Sequence, residues 1–404
     1  MAAIKEGSQL KGELQSYLAV GPLGQDNVWT AVGDDGKVFV VKAPTANDNP
    51  AASYPHFCHE MIMHELFKSS NGIRKQVDRI PPVINSGAPP MLVLEIFETT
   101  LWQARSKRPF SKDEIRAVCC GILHGLQQVH EKGLVYADLK MPNVMLNGFN
   151  VGAPGDGSGL VAKLGDLGIV MPPCNGKVQP VAYRAPEIYF KGEIAPPADI
   201  WAFGLVCCHL LEARNRFSNT GLYDDLDTGG GSMPEREQAV RYAIADDYDI
   251  KNVDYYKGCA LPYQHANHPK GHQWSELRKR GLDEKDVEFL QWVLQPDPTK
   301  RPTAAAILKS NWINTGTDSS SFSDIGAVDG TAEVKGASPV MSTKAPSPMQ
   351  SAAPLRQLIE ATTHSSNPTA PIAVSSNTTS TKSLSSKTYQ PASSSTKFTS
   401  PPAS

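Results

Sequence analysis

Four short motifs between residues 135 and 204 restrict what this chain can fold into more than any other feature. The first, Val-Tyr-Ala-Asp-Leu-Lys-Met-Pro-Asn-Val-Met-Leu at 135–146, places a carboxylate, an amine and an amide between apolar runs. The others are Leu-Gly-Asp-Leu-Gly at 164–168, Tyr-Arg-Ala-Pro-Glu at 183–187 and Ala-Asp-Ile-Trp-Ala-Phe-Gly at 198–204. Asp and Asn favour turns in any protein, so one motif alone is a weak signal. Four motifs in this order indicate loops that serve one site.

The segment before these motifs has the pattern of an antiparallel sheet. Short apolar runs are separated by turn residues, and Gly33-Asp-Asp-Gly36 is a strong hairpin signal. The pattern predicts a helix near 56–69 and strands at 17–20, 28–32, 38–41, 83–85 and 91–97.

From Lys112 onwards the apolar residues recur at helical spacing, beginning with Ile115 and Val118, and Ser111 is a candidate N-cap. Further helices are predicted at 198–211, 235–245, 284–294 and 304–310. The predicted fold class is therefore α+β, with a small antiparallel-sheet lobe at about 16–97 and a larger helical lobe at about 98–313.

The composition changes after Trp312. Residues 314–404 are dominated by Ser, Thr, Pro and Ala and have too few apolar side chains to form a core, so we expect a disordered tail. Within it, 355–361 has helical character, typical of a transient helix. Residues 1–15 are assigned to an N-terminal extension.

Charge and composition exclude several classes of protein. The formal net charge is -2, which gives no basic field for nucleic acid or an anionic membrane. None of the seven cysteines forms a Cys-x-x-Cys pair, so we expect buried free thiols in a reducing compartment. No run of eighteen apolar residues occurs, and we expect a soluble, monomeric, cytoplasmic or nuclear protein.

In order and spacing, the four motifs resemble the catalytic loop, the metal-binding triplet, the end of the activation segment and the following helix of eukaryotic-type protein kinases. The resemblance covers roughly residues 16–313. It implies a two-lobed kinase fold that transfers phosphate from ATP, with Mg²⁺, to Ser or Thr of a protein substrate. Residues 183–187 and the long insert at about 214–274 are similar to the branch of cyclin-dependent, MAP and SR-protein kinases.

The resemblance assigns roles to the polar residues of the first two motifs. Asp138 would orient the acceptor hydroxyl and accept its proton, and Lys140 would neutralise charge on the transferred group. Asn143 and Asp166 would supply the hard oxygen ligands that Mg²⁺ prefers.

A lysine at the end of a predicted strand completes the phosphate site. Lys42 resembles the lysine that holds the α- and β-phosphates of ATP and pairs with a Glu on the next helix. Glu60 and Glu65 are both candidates for that partner. The register of the following apolar residues favours Glu60.

The nucleotide pocket is predicted from the same resemblance. Leu92-Val-Leu-Glu-Ile-Phe97 resembles the strand and hinge whose backbone binds adenine. The loop that covers the phosphates is degraded, because Leu23 and Asp26 stand where two glycines are usual. The predicted nucleotide-binding residues are Gly21, Gly24, Val28, Val40, Lys42, Glu60, Glu95, Phe97 and Met145.

The chain also departs from the family pattern. Tyr136 and Ala137 replace the usual His and Arg, and Pro180 replaces a Thr. Residues 166–187 contain Tyr183 as their only hydroxyl. These departures keep open a pseudokinase, a binding module with a kinase fold and no phosphotransfer. A small-molecule kinase is disfavoured by the intact Ala185-Pro-Glu187. A regulatory protein that binds the tail is a further candidate partner, while Glu187 and Arg301 are expected to form a structural ion pair.

Overall fold

The structure is a computed structural model, and it describes residues 4–83, 87–218, 220–228, 231–262 and 272–314. The expected tail at 314–404, apart from its first residue, and the helical stretch at 355–361 lie outside the described residues. No described helix is long and apolar enough to cross a membrane.

The small lobe contains one six-stranded antiparallel sheet in the order β1-β2-β3-β4-β6-β5. A helix, α1, lies between the fourth and fifth strands in the chain. Their bounds are β1 Gln9–Lys11, β2 Ser16–Leu23, β3 Gln25–Gly33, β4 Val38–Lys42, α1 Pro55–Leu66, β5 Gln76–Ile80 and β6 Met91–Glu95. This architecture confirms the predicted sheet-rich lobe.

Two strands were not anticipated by the sequence analysis. The first is β1, which lies within the segment expected to be an N-terminal extension and pairs with β2. The second is β5, Gln76–Ile80. Of the strand expected at 83–85, residues 84 and 85 lie outside the described residues, and Val83 forms an isolated bridge to Ala88. Apolar periodicity missed β5 because its inward residue, Asp78, is polar. That carboxylate is buried and accepts a hydrogen bond from the Tyr17 hydroxyl at 2.9 Å.

The larger lobe is mainly helical, with short strands near the cleft. The helices are α2 Leu101–Arg105, α3 Lys112–Glu131, α4 Pro186–Phe190, α5 Pro196–Asn215, α6 Asp224–Thr228, α7 Met233–Asp247, α8 His272–Lys279, α9 Glu284–Val293, α10 Ala304–Leu308 and α11 Asn311–Asn314. The strands are β7 Thr99–Thr100, β8 Val144–Asn147, β9 Val161–Leu164, β10 Cys174–Asn175 and β11 Glu193–Ile194.

Helix α3 is the platform for the strand that leads into the second motif. It begins, as predicted, at Ser111, which forms a capping box with Glu114. A Cβ on Gly121 would lie 2.3 Å from the carbonyl oxygen of Ala162 in β9. Because glycine has no side chain, the backbones of α3 and β9 come into direct contact. This contact fixes the position of the residues that follow β9.

Helix α5 forms the centre of the large-lobe core. Every residue of the helix from Ala198 to Leu211 is buried, and Trp201 and Phe203 are fully buried. Its Cys207 contacts Cys119 of α3 with the two sulfur atoms 3.2 Å apart. All seven cysteines are free, as predicted, but only three of them are buried: Cys119, Cys207 and Cys208. Three others are half-buried and Cys174 is exposed.

Candidate active site

The first motif forms a compact loop before β8. Nζ of Lys140 lies 3.0 Å from the Asp138 carboxylate. Nδ2 of Asn143 donates to the same carboxylate at 2.7 Å and to the Asp138 carbonyl at 2.9 Å. The three residues predicted from the motif are therefore brought together, and the Asn143 amide orients the Asp138 side chain.

Asp199 of α5 binds the backbone of this loop. Its carboxylate is fully buried and accepts the backbone N–H of Tyr136 at 2.7 Å and of Ala137 at 2.9 Å. His130 lies 3.0 Å from the same carboxylate. Ala137 has a φ of 65°, a left-handed conformation that is unfavourable for alanine. The two hydrogen bonds to Asp199 stabilise this conformation immediately before Asp138.

Tyr136, which replaces the usual histidine, has a contact of its own. Its ring is fully buried, and its hydroxyl donates to the carbonyl of Gly165 at 3.0 Å. Burial raises the pKa of this hydroxyl well above its ordinary value, so it stays protonated as a donor. The bond links the loop of Asp138 to the residue preceding Asp166.

The lysine of β4 connects the two lobes. Nζ of Lys42 lies 2.7 Å from Oε1 of Glu60 and 3.6 Å from Oδ1 of Asp166. Burial opposes the charged amine, but Asp166 and Glu60 outweigh it, and the pKa of Lys42 is raised. Glu65 is exposed and pairs with Lys68, so the structure selects Glu60 from the two candidates.

His64 lies one helical turn after Glu60 and next to the Lys42–Glu60 pair. It is buried, and its Nε2 is 3.9 Å from Oε1 of Glu60. Burial and the nearby Lys42 charge lower the pKa of His64 to about 3, so the ring is neutral at physiological pH. The pairing of Lys42 with Glu60 is therefore undisturbed by a second cation at this position.

The two aspartates of the cleft have opposite pKa shifts. Burial raises the pKa of Asp138, against the charge of Lys140. Asp166 also experiences burial, but Lys42 and the backbone N–H of Gly168 outweigh it and lower its pKa. Asp166 is therefore suited to stay ionised, while Asp138 is shifted towards proton acceptance.

The strands that carry two residues of the expected base pocket, Val28 and Val40, are paired in the small-lobe sheet. Val28 pairs with Lys42 across β3 and β4, and Val40 pairs with Leu94 across β4 and β6. Met145 in β8 lies under Gly165, where its Cε would be 3.2 Å from an added Cβ.

Glu95, at the start of the predicted hinge, is positioned by a salt bridge to Lys163. The Glu95 carboxylate accepts from Nζ of Lys163 and from the Lys75 N–H, both at 2.7 Å. Lys163 also lies over the Phe97 ring, 5.6 Å from its centroid. The backbone carbonyl of Glu95 accepts from Nε of Arg74 at 2.8 Å, a contact that the sequence analysis did not anticipate.

The turn between β2 and β3 is tight. Leu23 pairs with Gln25, and Gly24 between them has a φ of 76°, which requires glycine or a strained residue. An added Cβ on Gly21 or Gly24 would touch nothing within 4 Å. The degraded loop is therefore an ordinary hairpin, and the space beside both predicted glycines is open.

Side-chain contacts with the backbone hold the segment between the second and third motifs. Gln179 is buried with a φ of 70°; its Nε2 donates to the Ala198 carbonyl and its Oε1 accepts from the Ala185 N–H, both at 3.0 Å. Arg184 donates to the Gln179 carbonyl at 3.0 Å. Upstream, Nε2 of His59 in α1 lies 2.7 Å from the carbonyl of Val170.

The expected structural ion pair is present. Arg301 and Glu187 form two hydrogen bonds of 2.7 Å, and both side chains are buried. Arg301 also donates to the Pro197 carbonyl at 2.9 Å, which ties α4 to the start of α5.

The two predicted metal ligands have oxygen atoms to offer. Asn143 donates with Nδ2, which leaves Oδ1 directed elsewhere, and Oδ1 of Asp166 is the atom that contacts Lys42 and Gly168. No group of three or more His, Cys, Asp and Glu side chains within the described ranges could hold a metal ion. Two protein oxygens suit Mg²⁺, which usually keeps waters and phosphate oxygens as its other ligands.

Comparison with known proteins agrees with this geometry. The family model described as "Protein kinase domain" matches residues 21–313. The chain is 25% identical over 295 residues to Cyclin-dependent kinase F-4 of Oryza sativa subsp. japonica, covering 70% of this chain and 57% of that protein.

Two other relatives are more partial matches. Mitogen-activated protein kinase HOG1 of Cryphonectria parasitica is 26% identical over 225 residues, which is 55% of this chain and 57% of that protein. Serine/threonine-protein kinase TAO3 of Homo sapiens is 26% identical over 212 residues, 51% of this chain and 18% of that protein. The chain thus spans less than two thirds of the length of each relative.

Proposed function

Because this chain belongs to the protein kinase family, we propose that it is an active kinase that transfers the γ-phosphoryl group of ATP to Ser or Thr of protein substrates. The observation that carries the proposal is the approach of Lys42 to both Glu60 and Asp166, at 2.7 and 3.6 Å. A nucleotide held by Lys42 would have its terminal phosphate near Asp138 of the loop below. All three relatives above carry kinase names, which supports the same conclusion.

The proposed chemistry follows from the positions of the side chains. Asp138, oriented by Asn143, accepts a hydrogen bond from the substrate hydroxyl and takes its proton as the new P–O bond forms. Lys140, which lies beside that carboxylate, neutralises charge on the transferred group. Lys42 binds the α- and β-phosphates, which leave together as ADP. Positioning and charge stabilisation of this kind provide most of the catalysis in phosphoryl transfer.

Mg²⁺ is the metal that the donor set fits. Asn143 and Asp166 would hold it, and it would supply charge neutralisation for the phosphate oxygens. The lowered pKa of Asp166 keeps this ligand ionised across the physiological range.

The direct experiment is phosphotransfer to a generic basic protein with Mg-ATP, comparing the wild type with Asp138→Asn. We expect the variant to lose about 10²- to 10⁴-fold in turnover while its melting temperature stays near that of the wild type. Asp166→Asn should also abolish transfer. Wild-type turnover in either variant would show that these roles are assigned wrongly.

The tight β2–β3 turn favours the second candidate function, a pseudokinase that binds nucleotide or scaffolds other proteins. Residues 21–24 read Gly-Pro-Leu-Gly, so a proline occupies a position where a backbone N–H could bind phosphate. Mg-ATP binding without transfer in the purified wild type would favour this candidate. No thermal shift at millimolar Mg-ATP would favour scaffolding alone.

We further propose a domain spanning about residues 16–313, a monomeric state and a cytoplasmic or nuclear location. Protein substrates, and a regulatory protein that binds the segment after residue 314, are the proposed partners. The near-neutral net charge of -2 supports the exclusion of nucleic acid and membrane.

A further inference from the structure

An arginine stands inside the proposed nucleotide cleft. Arg74 lies between Ile73, which forms a bridge to Leu164, and Lys75, whose carbonyl accepts the Glu95 N–H at 3.0 Å. Its own N–H donates to the Leu164 carbonyl at 2.8 Å. The backbone at Arg74 is therefore fixed between the strand that leads to Asp166 and the strand that leads to the hinge.

The side chain of Arg74 runs to the hinge. Nε donates to the backbone carbonyl of Glu95 at 2.8 Å, and the side chain is only half-buried. Within the part of the chain that the structure describes, this is the only hydrogen bond that the guanidinium makes. Its two terminal nitrogen atoms are therefore donors available to a ligand in the cleft.

The guanidinium interacts with the charged groups of the cleft. Burial lowers the pKa of Arg74 to about 10, and the carboxylates of Glu95, Glu60 and Asp166 act against that shift. In turn, the charge of Arg74 disfavours protonation of Lys42. Arg74 thus acts on the same charged groups that surround the phosphate-binding lysine.

Residues 92–97 resemble a hinge whose backbone binds the base, so the C6 edge of a bound base would lie against the Glu95 carbonyl and the Arg74 guanidinium beside it. Adenine carries an amino group there, which needs an acceptor, and Arg74 already uses one of the two lone pairs of the Glu95 carbonyl. Guanine and hypoxanthine carry a carbonyl oxygen, which accepts from a guanidinium. Arginine has no acceptor, so an adenine amino group would face the guanidinium donors and compete with them for the Glu95 carbonyl.

We propose that Arg74 selects a purine with a carbonyl at C6, so that the cleft binds Mg-GTP at least as tightly as Mg-ATP. The inference rests on the proposed function, because it assumes that a nucleotide occupies the cleft. It departs from that function only in the identity of the base.

The experiment compares dissociation constants of the full chain for Mg-GTP and Mg-ATP, in the wild type and in Arg74→Leu. We expect the wild type to bind GTP no more weakly than ATP. In Arg74→Leu the ratio should shift towards ATP by at least about tenfold, since one arginine contact discriminates bases to that order. Arg79→Leu is the matched control, because Arg79 is an exposed arginine of β5 that pairs with Glu13. Its ratio should equal that of the wild type.

The outcomes separate the two proposals. ATP binding with a ratio unchanged by Arg74→Leu would overturn the inference and leave the proposed function in place. If neither nucleotide binds, the nucleotide-dependent function and the inference fail together. If Arg74→Leu does not fold, the wild-type affinities decide. Tighter binding of ATP than of GTP overturns the inference, and tighter binding of GTP supports it. Arg74→Lys then tests whether the planar guanidinium is needed.

Discussion

The two halves of the cleft hold their charged residues by different means. In the large lobe, the fully buried carboxylate of Asp199 accepts two backbone N–H groups of the loop that presents Asp138. In the small lobe, Lys42 is held by Glu60 and lies 3.6 Å from Asp166, whose side chain is exposed to the cleft. In the large lobe, Asp199 and the loop that it binds are part of the folded core. In the small lobe, Lys42 is positioned by its electrostatic interactions with Glu60 and Asp166.

This difference has an energetic consequence. A buried charge that keeps all its hydrogen bonds contributes to a unique backbone arrangement, and removing its partner leaves an unpaired charge in a medium of low polarity. The Lys42–Glu60 pair is also largely buried, but burial already raises the pKa of Glu60, so this carboxylate can take up a proton when Lys42 is removed. We therefore expect substitutions in the large-lobe half to change stability and activity together, and those in the small-lobe half to change ligand binding first.

The largest effect on stability is expected for Glu187→Ala. This change strands the Arg301 guanidinium among the core residues, and breaking a buried pair in this way costs about 3–5 kcal/mol. Denaturant unfolding at equilibrium measures the loss. The control is Glu13→Ala, which breaks the exposed pair with Arg79 in the small lobe and should stay within experimental error. Equal losses in the two variants would remove the distinction between the lobes.

Asp199→Asn tests whether the catalytic loop depends on the core. The amide can accept one of the two backbone N–H groups through its oxygen but presents NH₂ to the other, so the free energy of unfolding should fall by about 1–3 kcal/mol. On the proposed function, turnover should also fall at least tenfold, because Ala137 loses the contact that stabilises its left-handed backbone. Wild-type turnover in a folded Asp199→Asn variant would show that the loop holds its shape unaided.

Sequence patterns predicted most of the fold because apolar periodicity was present where the core is deepest. Helices α3 and α5 form the centre of the large lobe, and both were found at nearly their observed bounds. Strand β5 was missed because Asp78 turns inward. Strand β1 was missed because three residues are too few to show an alternation.

The candidate site was predictable where a residue type is required by the chemistry. The loop of Asp138 and the approach of Lys42 to Glu60 belong to this class. The contacts of Arg74 and Gln179 were not predictable, since both residues bind backbone carbonyls that only the fold brings near. Neither Arg74, which lies in Gly72-Ile-Arg-Lys75 before β5, nor Gln179 belongs to a sequence motif that signals these contacts.

Lys42→Met probes the small-lobe half of the comparison. Its loss removes the cation that binds phosphate, so the stabilisation of the protein by Mg-ATP should shrink. The melting temperature without nucleotide should change little, because Glu60, whose pKa is already raised by burial, can take up a proton. Thermal melts with and without nucleotide measure both quantities. Lys68→Met, at the exposed end of α1, is the control and should keep the wild-type shift.

The smallest effect is expected from removing phosphate, and it tests how the large lobe orders its activation segment. Ala137 stands where the family usually has an arginine, and its uncharged side chain cannot bind a phosphate. Residues 166–187 offer only the buried Tyr183 as a phosphate acceptor. Gln179, Arg184 and His59 instead bind the segment and its neighbours directly. Prolines at 172, 173, 180 and 186 also restrict its backbone, which lowers the entropy lost on ordering.

We therefore predict that protein expressed in bacteria is competent without phosphorylation, and that treatment with a broad phosphatase leaves its phosphotransfer rate unchanged. Gln179→Ala should lower that rate in the same assay, because the segment then loses its contacts with the Ala198 carbonyl and the Ala185 N–H. A large loss of activity on phosphatase treatment, mapped to phosphate on Tyr183, would contradict the prediction. Absence of activity before and after treatment would instead support the pseudokinase, in which the same contacts order a binding surface and not a catalytic one.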